Sequence, residues 1–220
     1  MANGFDPRAT ATARPAGVGT EGVAYDAGLR SYMLSVYNYM TSGVLLTGIV
    51  ALLFAQSGLA AALFATPLKW VIMLAPLAFV MVLSFGVHRL STATTQMLFW
   101  AFAVVMGLSM SSIFLVFTGA SIAQTFFATA AAFAGLSLYG YTTKKDLSGL
   151  GTFLIMGLVG LLVAMVINLF MQSSTMSLVI SFIGVLLFAG LTAYDTQRIK
   201  SLYFHVAGTD MMGKTAIMGA

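Results

Sequence analysis

LSGLGTFLIMGLVGLLVAMVINLFMQSSTMSLVISFIGVLLFAGLTAY, residues 147–194, carries no charged side chain from its first position to its last. A membrane-spanning helix needs about 20 predominantly apolar residues, so this run is long enough for two spans with a turn between them. Gln172-Ser173-Ser174 supplies the polar break where that turn belongs. The apolar residues are continuous and do not alternate, which argues against the strands of a membrane barrel. Inside hydrocarbon each backbone amide must find its partner within the segment, and a helix does that unaided. These residues predict two adjacent transmembrane helices.

The same reading extends outward. Sixty per cent of the 220 residues are hydrophobic and seven per cent charged, whereas a soluble domain has about a quarter of its residues charged. Further uncharged stretches cover 31–68, 70–87 and 90–143, the last again long enough for two spans. Helices are expected near 36–56, 69–87, 97–117, 121–141, 150–171 and 176–197. Gly58, Pro67, Thr118-Gly119-Ala120-Ser121 and Ser148-Gly149 mark the other connections. The fold class is all-α, a polytopic membrane helical bundle with six transmembrane helices present in the sequence.

Orientation follows from the bases. Arg8, Arg14, Arg30, Arg89, Lys144, Lys145, Arg198, Lys200 and Lys214 fall on one side of such a bundle, and Lys69 alone on the other. Positive residues favour the cytoplasmic side, so both ends of this chain are expected there. Residues 1–30, rich in Ala, Gly and Thr and without an apolar core, read as a flexible cytoplasmic tail. Residues 31–220 form the membrane domain. The bases make no run or stripe, which gives nucleic-acid binding no support. There is no cysteine and there are two histidines, too few for a metal cluster. No nucleophile elbow, phosphate loop or zinc-protease motif occurs. The expectation is a protein that is not an enzyme and uses no cofactor, with the lipid bilayer as its main partner.

Polar and small residues inside the spans then need a reason. Gly107 and Ser111, four apart, suit close helix packing, as do Ala134, Ser137 and Gly140 or Tyr141. Asn168 is expected to make an interhelical hydrogen bond. Asp195 is the exception, because it is the single acid within the spans, in LTAYDTQRIK (191–200). At the end of a helix closing near 197 it would face the negative end of the macrodipole, unfavourable by a few tenths to about 1 kcal/mol. Arg198, at i+3, is a local counter-charge. Arg89, at the same end of the second span, is a candidate partner on another helix, and an Arg89–Asp195 bridge would be cancelled by protonation. Free aspartate titrates at about 3.9, so a switch near neutral pH needs more than these two residues.

LFAGLTAYDTQRIK (187–200) resembles the Bax inhibitor-1 family, also called the transmembrane Bax inhibitor motif family. MGLSMSSIFLVFTG (106–119) and LSLYGYTTKKDLSGLGTFLIMGLVG (136–160) are similar to its segments too, in particular to a bacterial branch. The resemblance runs from about Arg30 to Ala220. It implies seven helices, the seventh surrounded by the other six, so the chain is expected either to be incomplete at its C-terminus or to be a six-helix form, and in both cases to lack the family's second acid. Asp210 is not that acid, because AGTDMMGK (207–214) reads as a polar loop. The resemblance also implies a place in a bacterial inner membrane and a pH-sensitive calcium leak. Asp195 would then stand at the ion pathway with Arg89 as its closed-state partner. Asp195 is the metal candidate, a weak calcium site, with calcium as the permeant ion. The alternative that the family offers is a regulator that binds and restrains a membrane-anchored ATP-dependent quality-control protease.

Overall fold

The computed structural model describes residues 18–86 and 89–220, with side chains from Ala27 onward. The first 17 residues of the expected tail, and His88, lie outside the described residues. Among the described residues eight helices follow one another: α1 Val18–Gln56, α2 Leu59–Phe64, α3 Lys69–Gly86, α4 Thr92–Val116, α5 Gly119–Thr142, α6 Ser148–Met171, α7 Ser174–Val206 and α8 Met211–Gly219. Six of these are long and apolar enough to cross a membrane, and among the described residues there is no strand. The protein is a polytopic helical bundle.

Two helices run beyond their expected ends. α1 begins at Val18 rather than near 36, so residues 18–30 are helical. α7 continues to Val206 rather than closing near 197. The cause is packing. Leu29, Tyr32, Met33 and Val36 recur at helical spacing on α1, and Tyr203 with Ala216 of α8 completes the buried core they form. An apolar stripe at i, i+3, i+4 and i+7 extends a helix wherever a neighbour covers it. Gly208, with φ 75°, takes the left-handed conformation just after α7 ends, where glycine costs least. Residues 211–214 of the expected loop are the first turn of α8, whose Ala216 and Ile217 are buried.

The bundle has two halves. In one, α1 packs along α4, and α3 packs on α4 as well. The buried residues of α4 are Thr95, Phe99, Ala103, Gly107 and Ser111, a repeat of four along one face. A β-carbon on Gly107 would stand 2.7 Å from the Thr47 carbonyl oxygen of α1, and Thr47 Oγ1 donates to the Ala103 carbonyl at 2.9 Å. The packing role expected of Gly107 and Ser111 is met. In the other half α7 packs against both α5 and α6. Gly140 of α5 brings its backbone onto the Ala193 carbonyl of α7, and Thr196 Oγ1 lies 3.4 Å from Ser137 Oγ. Asn168 closes the α6–α7 hairpin, donating to Ser177 Oγ at 2.8 Å and accepting from the Ser173 amide at 3.1 Å. The interhelical bond expected of Asn168 is there.

The buried core of α1, α7 and α8 joins the halves at the end carrying the α5–α6 connection, which among the described residues also holds every base but Lys69. We call this the basic end. Beyond it a groove of about 640 Å³ opens between α1 and α5, lined by Arg30, Tyr37, Met40, Phe133 and Tyr141 among others.

Candidate functional site

Asp195 lies on α7 with eleven residues of helix still to come. The expected clash with a helix C-terminus is therefore absent, since the macrodipole acts within the last turn. Its side chain lines a cavity of about 180 Å³ walled by α1, α5 and α7, with Gly219 of α8 at one edge. Met33, Tyr37 and Met40 come from α1 and Phe133 from α5. Met33, Tyr37, Met40 and Phe133 also line the larger groove, so the two spaces adjoin. Asp195 is the one charged residue among those lining the smaller cavity.

Two hydroxyls flank it on the same helix. Thr192 Oγ1 donates to the Phe188 carbonyl at 2.8 Å, and Thr196 Oγ1 to the Thr192 carbonyl at 2.8 Å. Their protons are committed to the helix, which leaves oxygen lone pairs as what they can offer in the cavity. One carboxylate and neighbouring hydroxyl oxygens are acceptors of the kind that hard cations take as ligands. Calcium takes six to eight oxygens, so any site here would be completed by water.

The structure does not bring Arg89 and Asp195 together. Arg89 sits in the turn after α3, its amide donating to the Gly86 carbonyl at 2.8 Å, and it is exposed. No ion pair within 4.0 Å forms between the two. Arg198 forms no ion pair within 4.0 Å with Asp195 either. It lines a separate space of about 330 Å³ with Lys144, Lys145 and Asp146.

Gln197 and Lys200, which the sequence did not single out, hold the α5–α6 connection against α7. Gln197 Oε1 accepts from the Leu147 amide at 2.9 Å while its Nε2 donates to the Lys145 carbonyl at 2.8 Å. Lys200 Nζ donates to the Tyr141 carbonyl at 2.8 Å and stands 4.9 Å from the centre of the Tyr141 ring. Asp146 Oδ1 accepts from the Ser148 amide at 2.9 Å. The Ser148 side chain and amide beside it hold the Asp146 carboxyl below the usual carboxylate range. The only hint in the sequence was a cluster of polar residues, Gln197 to Lys200, one turn after the acid.

A family described as "Inhibitor of apoptosis-promoting Bax1" matches residues 29–220. An uncharacterized protein of Rickettsia prowazekii, RP147, is 45% identical over 198 residues, covering 89% of this chain and 84% of its own. The inner membrane protein YbhL of Escherichia coli K12 is 44% identical over 198 residues, 88% of this chain and 85% of its own. An uncharacterized protein of Caulobacter vibrioides is 43% identical over 198 residues, 84% of this chain and 78% of its own. No solved structure matches the chain significantly. With that family match over most of its length, and with six helices fit to span a bilayer, the chain belongs to the Bax inhibitor-1 family of membrane proteins.

Proposed function

We propose that this protein provides a cation pathway across a bacterial inner membrane, with calcium as the permeant ion and Asp195 as the group that meets it. Asp195, the one charged residue lining the cavity between α1, α5 and α7, carries this reading. An ionisable side chain within membrane spans is costly and marks an ion or proton pathway more often than it serves packing. A single carboxylate helped by the Thr192 and Thr196 oxygens binds weakly, and weak binding suits conduction because the ion must leave again. No bond is made or broken, so the role is transport and not enzymatic. The inner-membrane setting is taken from the printed name of YbhL, and the excess of bases at one end favours cytoplasmic termini.

Protons compete with cations for one carboxylate, so flux through this site falls when Asp195 is protonated. The test is calcium flux into liposomes holding the purified protein, followed across a pH series. Asp195→Asn is expected to reduce flux at least tenfold and to flatten its pH dependence. Equal flux from both proteins at every pH would remove Asp195 from the mechanism. The regulator of a membrane-anchored protease, the family's other expected role, would show as co-purification with that protease and no flux from either protein.

A further inference from the structure

The basic pocket beside the α5–α6 connection has no part in that pathway, and its composition is unusual for this chain. Lys144, Lys145 and Arg198 line about 330 Å³ together with Ser148, Ser201 and Asp146. Among the described residues none of the three cations forms an ion pair within 4.0 Å. Asp146, the one acid present, is engaged with the Ser148 amide. Lys200 is turned away onto Tyr141. Gln197 fixes the connection from both sides, at the Lys145 carbonyl and the Leu147 amide, so the lysines are held beside Arg198 by backbone bonds. Like charges gathered on a fixed frame repel one another unless an anion joins them.

We propose that this pocket holds the phosphate of an anionic phospholipid headgroup. Arginine offers a planar fork that pairs two phosphate oxygens, and lysines add point charges around it. The height is right for a lipid: α5 leaves its apolar span at Thr142 and α6 enters its own at Ser148. Leu138 on α5 and Leu150 and Phe153 on α6 are exposed just within those span ends. They give acyl chains a surface that a soluble phosphate compound would not use.

Native mass spectrometry of the full chain, released from detergent, tests this with phosphatidylglycerol against phosphatidylcholine of the same acyl chains. Each cation near an anionic headgroup contributes about fivefold to binding. The protein is expected to retain phosphatidylglycerol preferentially, and the pair Lys144→Gln with Arg198→Gln to weaken that retention about 25-fold, the product of two such factors. Asp146→Asn keeps an oxygen for the Ser148 amide while removing the opposing charge, so it should strengthen retention. Lys69→Gln, at the opposite end of the bundle, should leave it unchanged. Undiminished retention by the double variant would overturn the proposal, as would displacement of the lipid by inorganic phosphate at equal concentration. If the double variant does not fold, Asp146→Asn decides: a gain supports the headgroup site, and no gain overturns it.

Discussion

Gly140 shows how a single side chain, by being absent, sets the distance between two helices. A β-carbon there would run into the Ala193 carbonyl, and a backbone atom has no rotamer by which to escape. Forcing extra volume into such a contact costs about 1–3 kcal/mol. Gly140→Ala is therefore expected to lower the thermal midpoint of the purified protein by several degrees. Gly184→Ala on α7 is the matched control. Its new methyl would meet Leu161 at 3.4 Å, an ordinary contact, and alanine is the better helix former by about 1 kcal/mol. It should leave the midpoint level or slightly raised. Equal losses from both variants would refute the close approach. Of the residues that matter, Asp195 was legible in the sequence because hydrocarbon makes a lone acid conspicuous. Its cavity partners Tyr37, Met40 and Phe133 were not, since nothing in a span's own residues says which helix will face it.

At the scale of elements, lipid dictated what could be read. Spans α3 to α6 lie within a few residues of where uninterrupted apolar sequence places them, because length and polarity alone decide a crossing helix. The two misplaced ends, α1 at Val18 and α7 at Val206, lie where the chain leaves that rule behind. There polar residues are frequent, and the stripe Leu29, Tyr32, Met33 and Val36 counts only once Tyr203 and Ala216 are known to cover it. The α5–α6 connection is an element of this second kind, ordered by bonds from Gln197, Lys200 and Asp146. Asp146 makes it sensitive to acid in one direction. Its carboxyl is held below its unfolded value by Ser148. Its contribution is thus complete above the unfolded carboxylate range and is lost as pH falls through the folded value. Hydrogen exchange, read as protection factors, should show the Ser148 amide losing protection in acid. The Leu147 amide, bonded to the neutral Gln197, should keep its own. Joint loss would mean that the connection unfolds as a unit.

In the whole molecule the two halves share their buried core at the basic end, with the α1–α5 groove beside it. A pathway along that groove requires α1 and α5 to keep some freedom to separate. The protein contains no cysteine, so a pair introduced as Met40→Cys and Phe133→Cys, facing one cavity, would be the only thiols present. Joining them with a short bifunctional maleimide is expected to cut calcium flux severalfold, while each single variant carrying the same reagent conducts normally. Full flux through the joined protein would place the ion route elsewhere.

A seam closed at one end makes the molecule a pair of tweezers, and the bilayer is the hand that holds it. In water, parting two apolar arms would be opposed by the hydrophobic effect. In hydrocarbon that opposition vanishes, because lipid tails are as apolar as the Met40 and Phe133 side chains that line the groove between them. The gap between the arms is then governed by side-chain packing and by the lateral pressure and thickness of the surrounding sheet. The same chain would rest at one aperture in a thin membrane and at another in a thick one.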